Sequence, residues 1–170
     1  MPKLKVVFLD RATIPSQITL KPLSFENQWV EYNFTAPEQV SERIEGADVV
    51  ITNKVVLNES NLQQAQQLKL IAVSATGVNN VDVDYCNEKN IAVANIQGYA
   101  TQSVPEHVIA MLFALKRNLV GYHQDIEAGE WQKDKQFCFF THPIQDVAGS
   151  TFGIIRLSLS MSTLIRASKF

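Results

Sequence analysis

Short apolar runs separated by polar segments fill the first hundred residues. Five segments predict strands, at residues 6–9, 29–33, 48–52, 70–73 and 91–94. We expect the strands at 6–9 and 70–73 to be buried and the strand at 29–33 to be edge-like. The polar segments between them have spaced apolar positions and predict short helices, at about residues 37–45, 58–67 and 83–89. Strands that alternate with helices predict an α/β fold, here a flavodoxin-like doubly wound parallel sheet. Ligands of such sheets bind at the carboxyl ends of the strands.

Residue types at the helix ends predict where the helices begin and end. Thr35 and Glu38 predict a capping box for the first helix, and Gly46 predicts its end. A second capping box, with Ser103 as its first residue, predicts the start of a longer helix. The body of that helix, residues 108–115, is apolar nearly all round and is expected to be covered on several sides. After residue 115, the sequence predicts a helix at residues 116–131, a loop at 132–147 and a strand at 151–155.

Composition narrows the function classes. The 170 residues carry a formal net charge of −2, so no basic field favours nucleic acid. Cys86 and Cys138 are too few and too far apart in sequence for a disulfide framework or a zinc site, and we expect reduced thiols and no metal. Because neither a signal peptide nor an apolar run of membrane-spanning length is recognised, we expect a cytoplasmic protein.

Small residues follow the fourth predicted strand, where the chain reads Ser-Ala-Thr-Gly from residue 74. Small residues at the carboxyl end of a strand leave backbone N–H groups accessible to a ligand, although they also suit a tight turn that only closes the strand. We predict that Ala75, Thr76 and Gly77 bind a small carboxylate. Lys54 ends the third strand on the same rim, where its charge attracts a carboxylate or is merely solvated.

Three segments, at residues 74–82, 95–101 and 103–107, resemble the D-isomer-specific 2-hydroxyacid dehydrogenases. The resemblance covers roughly residues 3–155, and the Asn-Lys-Val sequence at residues 53–55 is similar to glycerate dehydrogenases (hydroxypyruvate reductases) within that family. It implies hydride transfer between nicotinamide, as NAD or NADP, and a small 2-hydroxy or 2-oxo acid. It also implies a homodimer formed through the helix at residues 103–116.

The resemblance carries over only some residue roles. It places Thr76, Thr101 and Val104 beside the nicotinamide, although capping and packing also explain the last two. The family's catalytic Arg, Glu and His are expected downstream of this chain, so no catalytic residue is assigned. We expect His107 to be a core residue, because it lies on the apolar helix, and His123 and His142 to lie at the surface.

The family's chain is about twice as long, which suggests three parts here: a substrate-binding domain (1–100), interdomain helices and loop (101–150), and an incomplete nucleotide-binding domain (151–170). The glycine positions of the expected nucleotide fingerprint hold Arg156, Ser158 and Met161, whose side chains fill the space of a pyrophosphate. Our hypothesis is that the reading frame shifts after Ile155. We therefore expect negligible turnover and very weak nucleotide affinity.

Two other functions share this fold class. A receiver-like signalling domain needs an acidic residue at the end of the third strand, where this chain has Thr52, Asn53 and Lys54. A non-catalytic interaction module would dimerise through the apolar helix at residues 108–115. The oligomeric state distinguishes the second alternative from an enzyme fragment.

Overall fold

The computed structural model describes residues 3–153. They form two compact units, the first ending at Gln97 and the second beginning at Gly98. The first unit contains five parallel strands: β1 Leu4–Phe8, β2 Asn27–Glu31, β3 Val49–Thr52, β4 Leu70–Val73 and β5 Ala92–Asn95. Their order across the sheet is β2-β1-β3-β4-β5. The predicted flavodoxin-like sheet is confirmed.

The core of the first unit lies around the three central strands. Val7 of β1 pairs with Val50 of β3, which pairs with Ile71 of β4, and all three side chains are fully buried. Three short helices connect the strands: α1 Val40–Ile44, α2 Glu59–Leu62 and α3 Val83–Glu88. A fully buried aliphatic side chain contributes about 1.5–3 kcal/mol. The carboxyl ends of these strands therefore project from the most stable part of the unit.

The first predicted capping box is wrong. The Thr35 hydroxyl donates to the carbonyl of Leu9, just after β1, and accepts from the guanidinium of Arg43 at 2.7 Å. A 3-10 turn, Pro37–Gln39, precedes α1, and the backbone N–H of Ala36 donates to Gln39 Oε1 at 3.1 Å. Thr35 is buried, and a partner that is distant in sequence satisfies its hydroxyl in place of the helix N–H groups.

At the other helix ends of the first unit, the predicted role of Gly46 is confirmed, but one helix is shorter than predicted. Gly46 follows α1 with a φ of +65°, which confirms its role at the helix end. Asp82 caps α3 by accepting the Tyr85 N–H at 3.0 Å. Asn58 caps α2 in the same way through Asn61. This helix has only four residues, fewer than predicted, because it has few apolar side chains to bury.

The second unit is helical, with α4 Ser103–Lys116, α5 Leu119–Glu127 and α6 Glu130–Asp134. The predicted Ser103 capping box is wrong, because this residue already belongs to the helix and its side chain makes no capping bond. Two left-handed residues, Asn118 at φ +51° and Gly129 at φ +78°, divide the predicted helix over 116–131. Residues 151–153 form no strand, and residues 154–170, including the expected fingerprint positions, lie outside the described part.

Helix α4 exposes more apolar surface than expected. Its large apolar side chains with more than a third of their surface exposed are Val104, Met111, Phe113 and Leu115. The prediction that His107 is a core residue is wrong, because within its unit α4 packs against α5 and leaves His107 in solvent. His123 is exposed, as predicted, and His142 is half-buried. Within residues 3–153, no helix is both long and apolar enough to cross a membrane.

Candidate functional site

A buried carboxylate fixes the backbone at the end of β3. Asp10 lies two residues after the end of β1, next to the buried Leu9, and only 4% of its surface is exposed. Its Oδ1 accepts the Asn53 N–H at 2.9 Å, and its Oδ2 accepts the Lys54 N–H at 2.7 Å. The base of the exposed Lys54 side chain is therefore held on the rim. Sequence reasoning missed Asp10, although an acidic residue directly after a buried strand is a usable signal.

The loops after β3 and β4 are joined by hydrogen bonds. Ser74 N–H donates to the carbonyl of the buried Thr52 at 2.8 Å, and the Thr52 hydroxyl accepts the Val55 N–H at 3.1 Å. The side-chain amide of Asn80, which follows the small-residue turn, donates to the Val55 carbonyl at 3.0 Å. The two loops that carry the predicted substrate residues therefore form one connected rim.

The turn after β4 presents accessible backbone donors. Ala75 is buried at the end of the strand, whereas Thr76 and Gly77 are exposed. Within residues 3–153, the N–H groups of these three residues donate to no protein acceptor. A Cβ at Gly77 would lie 3.1 Å from Asn79 Oδ1, so a larger residue would crowd the turn. Two adjacent, exposed N–H donors at the carboxyl end of a strand can bind an anionic oxygen.

The end of β5 binds the opposite side of this turn. Asn95 Nδ2 donates to the Thr76 carbonyl at 2.6 Å, and the Ile96 N–H donates to the Ala75 carbonyl at 3.1 Å. Sequence reasoning did not single out Asn95. Its signal is a polar residue at the carboxyl end of a strand next to the small-residue turn.

The two residues predicted beside the nicotinamide belong to the second unit. Thr101 is half-buried, and its hydroxyl donates to the Gly98 carbonyl at 3.0 Å. Val104 lies in the first turn of α4 with 39% of its surface exposed. Thr101 therefore has its hydroxyl proton engaged locally and keeps its oxygen as an acceptor.

His142 of the second unit is held by local contacts. His142 Nε2 lies 3.1 Å from Asp125 Oδ2, and its backbone carbonyl accepts the Tyr122 hydroxyl at 2.8 Å. A Cβ at Gly121 would lie 2.7 Å from His142 Nε2, so the ring packs directly on α5. Among the described residues, no three His, Cys, Asp or Glu side chains cluster closely enough to hold a metal.

A cleft of about 480 Å³ lies along β2 in the first unit. Its lining includes Arg11, Lys21 and Trp29 but none of the predicted site residues. Arg11 is engaged with the carbonyls of the loop before β2, and the Trp29 indole N–H donates to Glu31. The rim at the carboxyl ends is therefore the better candidate site, since its backbone donors have no acceptor among the residues that the structure describes.

Comparison with known proteins identifies the family. Residues 6–164 match the D-isomer specific 2-hydroxyacid dehydrogenase family, catalytic domain. The chain belongs to this family. It is 49% identical over 151 residues to a Haemophilus influenzae protein named as a 2-hydroxyacid dehydrogenase, and 45% identical over 152 residues to the glycerate dehydrogenase of Methylorubrum extorquens. Each match covers 89% of this chain and 48% of the relative, so the chain spans about half the length of these relatives.

Solved structures show the same fold. A glyoxylate/hydroxypyruvate reductase of Sinorhizobium meliloti, in complex with NADP and malonate, has a TM-score of 0.74 at 17% identity. The match covers 98% of this chain and 50% of the reductase. A Thermus thermophilus protein has a TM-score of 0.75 at 20% identity, over 96% of this chain and 52% of its own. These matches support the doubly wound α/β architecture.

Proposed function

We propose that this chain is the substrate-binding part of an NAD- or NADP-dependent D-2-hydroxyacid dehydrogenase of the glycerate dehydrogenase (hydroxypyruvate reductase) type. The observation that carries the proposal is the pair of exposed N–H groups of Thr76 and Gly77, which have no acceptor within residues 3–153. The whole enzyme would transfer hydride between the nicotinamide and C2 of a small 2-hydroxy or 2-oxo acid. The named relatives support this substrate class.

The acid would bind through its carboxylate. The N–H groups of Thr76 and Gly77 each donate to it, and the buried Ala75 closes the site at the end of β4. Lys54, whose backbone is held by Asp10, adds a positive charge on the same rim. Because Lys54 is exposed, its attraction for the acid is screened by salt, and it contributes less than the backbone donors.

The cofactor would be NAD or NADP, which supplies the hydride when bound. Thr76, Thr101 and Val104 are the residues of this chain that we assign to the nicotinamide side. The Thr101 oxygen can accept from a carboxamide N–H, and the exposed Val104 offers an apolar contact. None of these groups binds a pyrophosphate, and we expect very weak nucleotide affinity and negligible turnover from this chain alone.

We also propose the division into a substrate-binding domain (1–100), interdomain helices and loop (101–150), and the start of a nucleotide-binding domain (151–170). A homodimer formed through the helix at 103–116 is supported by the exposed Met111, Phe113 and Leu115. Cytoplasmic location is supported by the free thiols of both cysteines.

A titration tests the proposed substrate site. The ¹⁵N-labelled chain is titrated with hydroxypyruvate at fixed ionic strength, and hydroxyacetone, which lacks the carboxylate, is the control ligand. We expect the Thr76 and Gly77 amide signals to shift and saturate with hydroxypyruvate only. In Lys54→Met, Kd should rise by about threefold at low salt and less at high salt. Equal shifts with both ligands, or shifts confined to other residues, would refute the proposal.

A non-catalytic interaction module is the second candidate, because α4 exposes several large apolar side chains. Light scattering after size-exclusion chromatography, with Leu115→Glu as the variant, measures its association. A dimer that dissociates in the variant while the wild type binds no 2-oxo acid would favour the module. Membership of the dehydrogenase family and the Thr52–Lys54 sequence at the end of β3 argue against a receiver-like domain.

A further inference from the structure

A side-chain amide at the end of β5 holds the peptide group between Thr76 and Gly77. Asn95 is the last residue of β5, and its Nδ2 donates to the Thr76 carbonyl at 2.6 Å. The next residue, Ile96, donates its backbone N–H to the Ala75 carbonyl at 3.1 Å. Two successive carbonyl groups of the turn are therefore bound by one short segment of the chain.

These two bonds fix the direction of the donors on the other side of the turn. The described residues contain no cis peptide, and in a trans peptide the N–H points opposite to the C=O of the same group. Since the Ala75 carbonyl is bound by the end of β5, the Thr76 N–H points away from it. The Thr76 carbonyl imposes the same direction on the Gly77 N–H. A hydrogen bond to a peptide carbonyl also polarises the group and strengthens its N–H as a donor.

The second peptide group depends on its side-chain partner because Gly77 offers little resistance to rotation. Glycine has no Cβ and populates a wide range of backbone angles. The peptide group between Ala75 and Thr76 is held by the backbone N–H of Ile96. Among substitutions of Ile96, only proline would remove this donor. The group between Thr76 and Gly77 is held by the side chain of Asn95, so this bond can be removed by substitution.

We propose that Asn95 is a positioning residue of the substrate site, which directs the Gly77 N–H toward the carboxylate of a small 2-oxo acid. This inference rests on the proposed function, in which that N–H binds the acid. Asn95 itself touches neither the acid nor the cofactor in this account. Its effect is transmitted through one carbonyl, and loss of the amide allows the peptide group to rotate away from the binding orientation.

Two substitutions remove the donor. Asn95→Leu keeps the approximate shape of the side chain, Asn95→Ala shortens it, and neither adds a charge that would itself repel the acid. The matched control is Gln97→Ala, since Gln97 carries a side-chain amide on the same loop, and Asn95 Oδ1, at 3.5 Å, is the acceptor of its weak hydrogen bond. Thermal unfolding of each variant, followed by circular dichroism, measures whether the sheet is intact.

The readouts are the hydroxypyruvate Kd from the Gly77 amide signal and the ¹³C shift of the Thr76 carbonyl without ligand. We expect Kd to rise about tenfold in both Asn95 variants, which corresponds to about 1.4 kcal/mol. The Thr76 carbonyl signal should move upfield, because it loses a hydrogen bond. The thermal midpoint should stay close to that of the wild type, and Gln97→Ala should match the wild type in all three measurements.

The outcomes separate this inference from the proposed function. Binding by the wild type with an unchanged Kd in Asn95→Leu overturns the inference and leaves the function standing. If the wild type shows no shift at Thr76 and Gly77, the proposed function fails and this inference fails with it, whatever the ligand-free carbonyl shift shows about the bond from Asn95. Weaker binding that accompanies loss of the β5 amide signals assigns Asn95 to strand stability and also overturns the inference.

Discussion

Replacing Asp10 by alanine should strongly destabilise the first unit. The carboxylate is buried and accepts the backbone N–H groups of Asn53 and Lys54 at 2.9 and 2.7 Å. Hydrogen bonds to a charged partner contribute about 1.5–3 kcal/mol each. Since Lys54 is exposed, water can replace part of this contribution after the loop shifts, and we expect a loss of about 3 kcal/mol. This is a large fraction of the ~5–15 kcal/mol of a typical domain.

Urea unfolding followed by the fluorescence of Trp29 measures this loss. Trp29 lies on β2 and packs edge to face on Phe8 of β1, so it reports on the first unit. The Trp131→Phe background removes the signal of the second unit. With a denaturant slope of about 1.5 kcal/mol per molar, the midpoint should fall by about 2 M.

Two comparisons make the Asp10 result specific. Asp84→Ala replaces an exposed aspartate in the first turn of α3 and should cost at most about 0.5 kcal/mol. Asp10→Asn keeps the side-chain shape and one acceptor oxygen, so its loss should lie between those of the alanine variant and the wild type. A loss below about 1 kcal/mol in Asp10→Ala would refute the reasoning that this carboxylate holds the loop after β3.

Three further results are expected. The hydrogen bonds from the Lys69 ammonium and the Lys5 N–H lower the pKa of Asp48. The stabilising contribution of Asp48 is therefore present above its unfolded-state pKa and is lost as pH falls through the lower folded-state pKa. The unfolding free energy of Asp48→Asn should depend less on acid pH than that of the wild type. Gly46→Ala should cost about 1 kcal/mol in urea unfolding, because residue 46 has a φ of +65°. Burial, aided by the Asp82 charge, raises the pKa of the Cys86 thiol, and iodoacetamide at neutral pH should leave it unmodified in the folded protein by mass spectrometry.

Each of these results has its own control. Gly153→Ala, at a position with open space and no positive φ, should leave stability unchanged. Full modification in urea shows that the reagent can reach Cys86. Identical acid dependence in wild type and Asp48→Asn would contradict a stabilising role of the Asp48 charge. Equal costs for Gly46→Ala and Gly153→Ala would contradict the effect of the positive φ. Rapid labelling of Cys86 in the folded chain would contradict its protection by burial.

The sheet could be predicted from the sequence because its central strands read as short apolar runs, of which the run in β1 is buried on both faces. Val6, Val7 and Phe8 illustrate this, with at most 1% of their surface exposed. Helix ends were harder to predict where a side chain had a distant partner available. The Thr35 hydroxyl bonds to Leu9, 26 residues away, and no local pattern contains that choice.

Some residues of the candidate site were likewise predictable from a local pattern, and others were not. Thr76 and Gly77 were predicted because a run of small residues after a strand is a local signal. Asp10 and Asn95 were not, because their acceptor and donor roles depend on backbone groups 43 and 19 residues away that only the folded sheet brings near. The exposure of His107 on α4 was also unpredictable from periodicity, since an apolar helix does not specify what covers it.

We propose that the turn after β4 binds the carboxylate of a small 2-oxo acid through backbone N–H groups. A crystal structure of this chain with hydroxypyruvate measures it most directly. We expect carboxylate oxygens about 3 Å from the nitrogens of Thr76 and Gly77, with the Asn95 amide still bound to the Thr76 carbonyl. Hydroxypyruvate bound only elsewhere, such as in the cleft along β2, with both N–H groups facing protein or solvent, would contradict it.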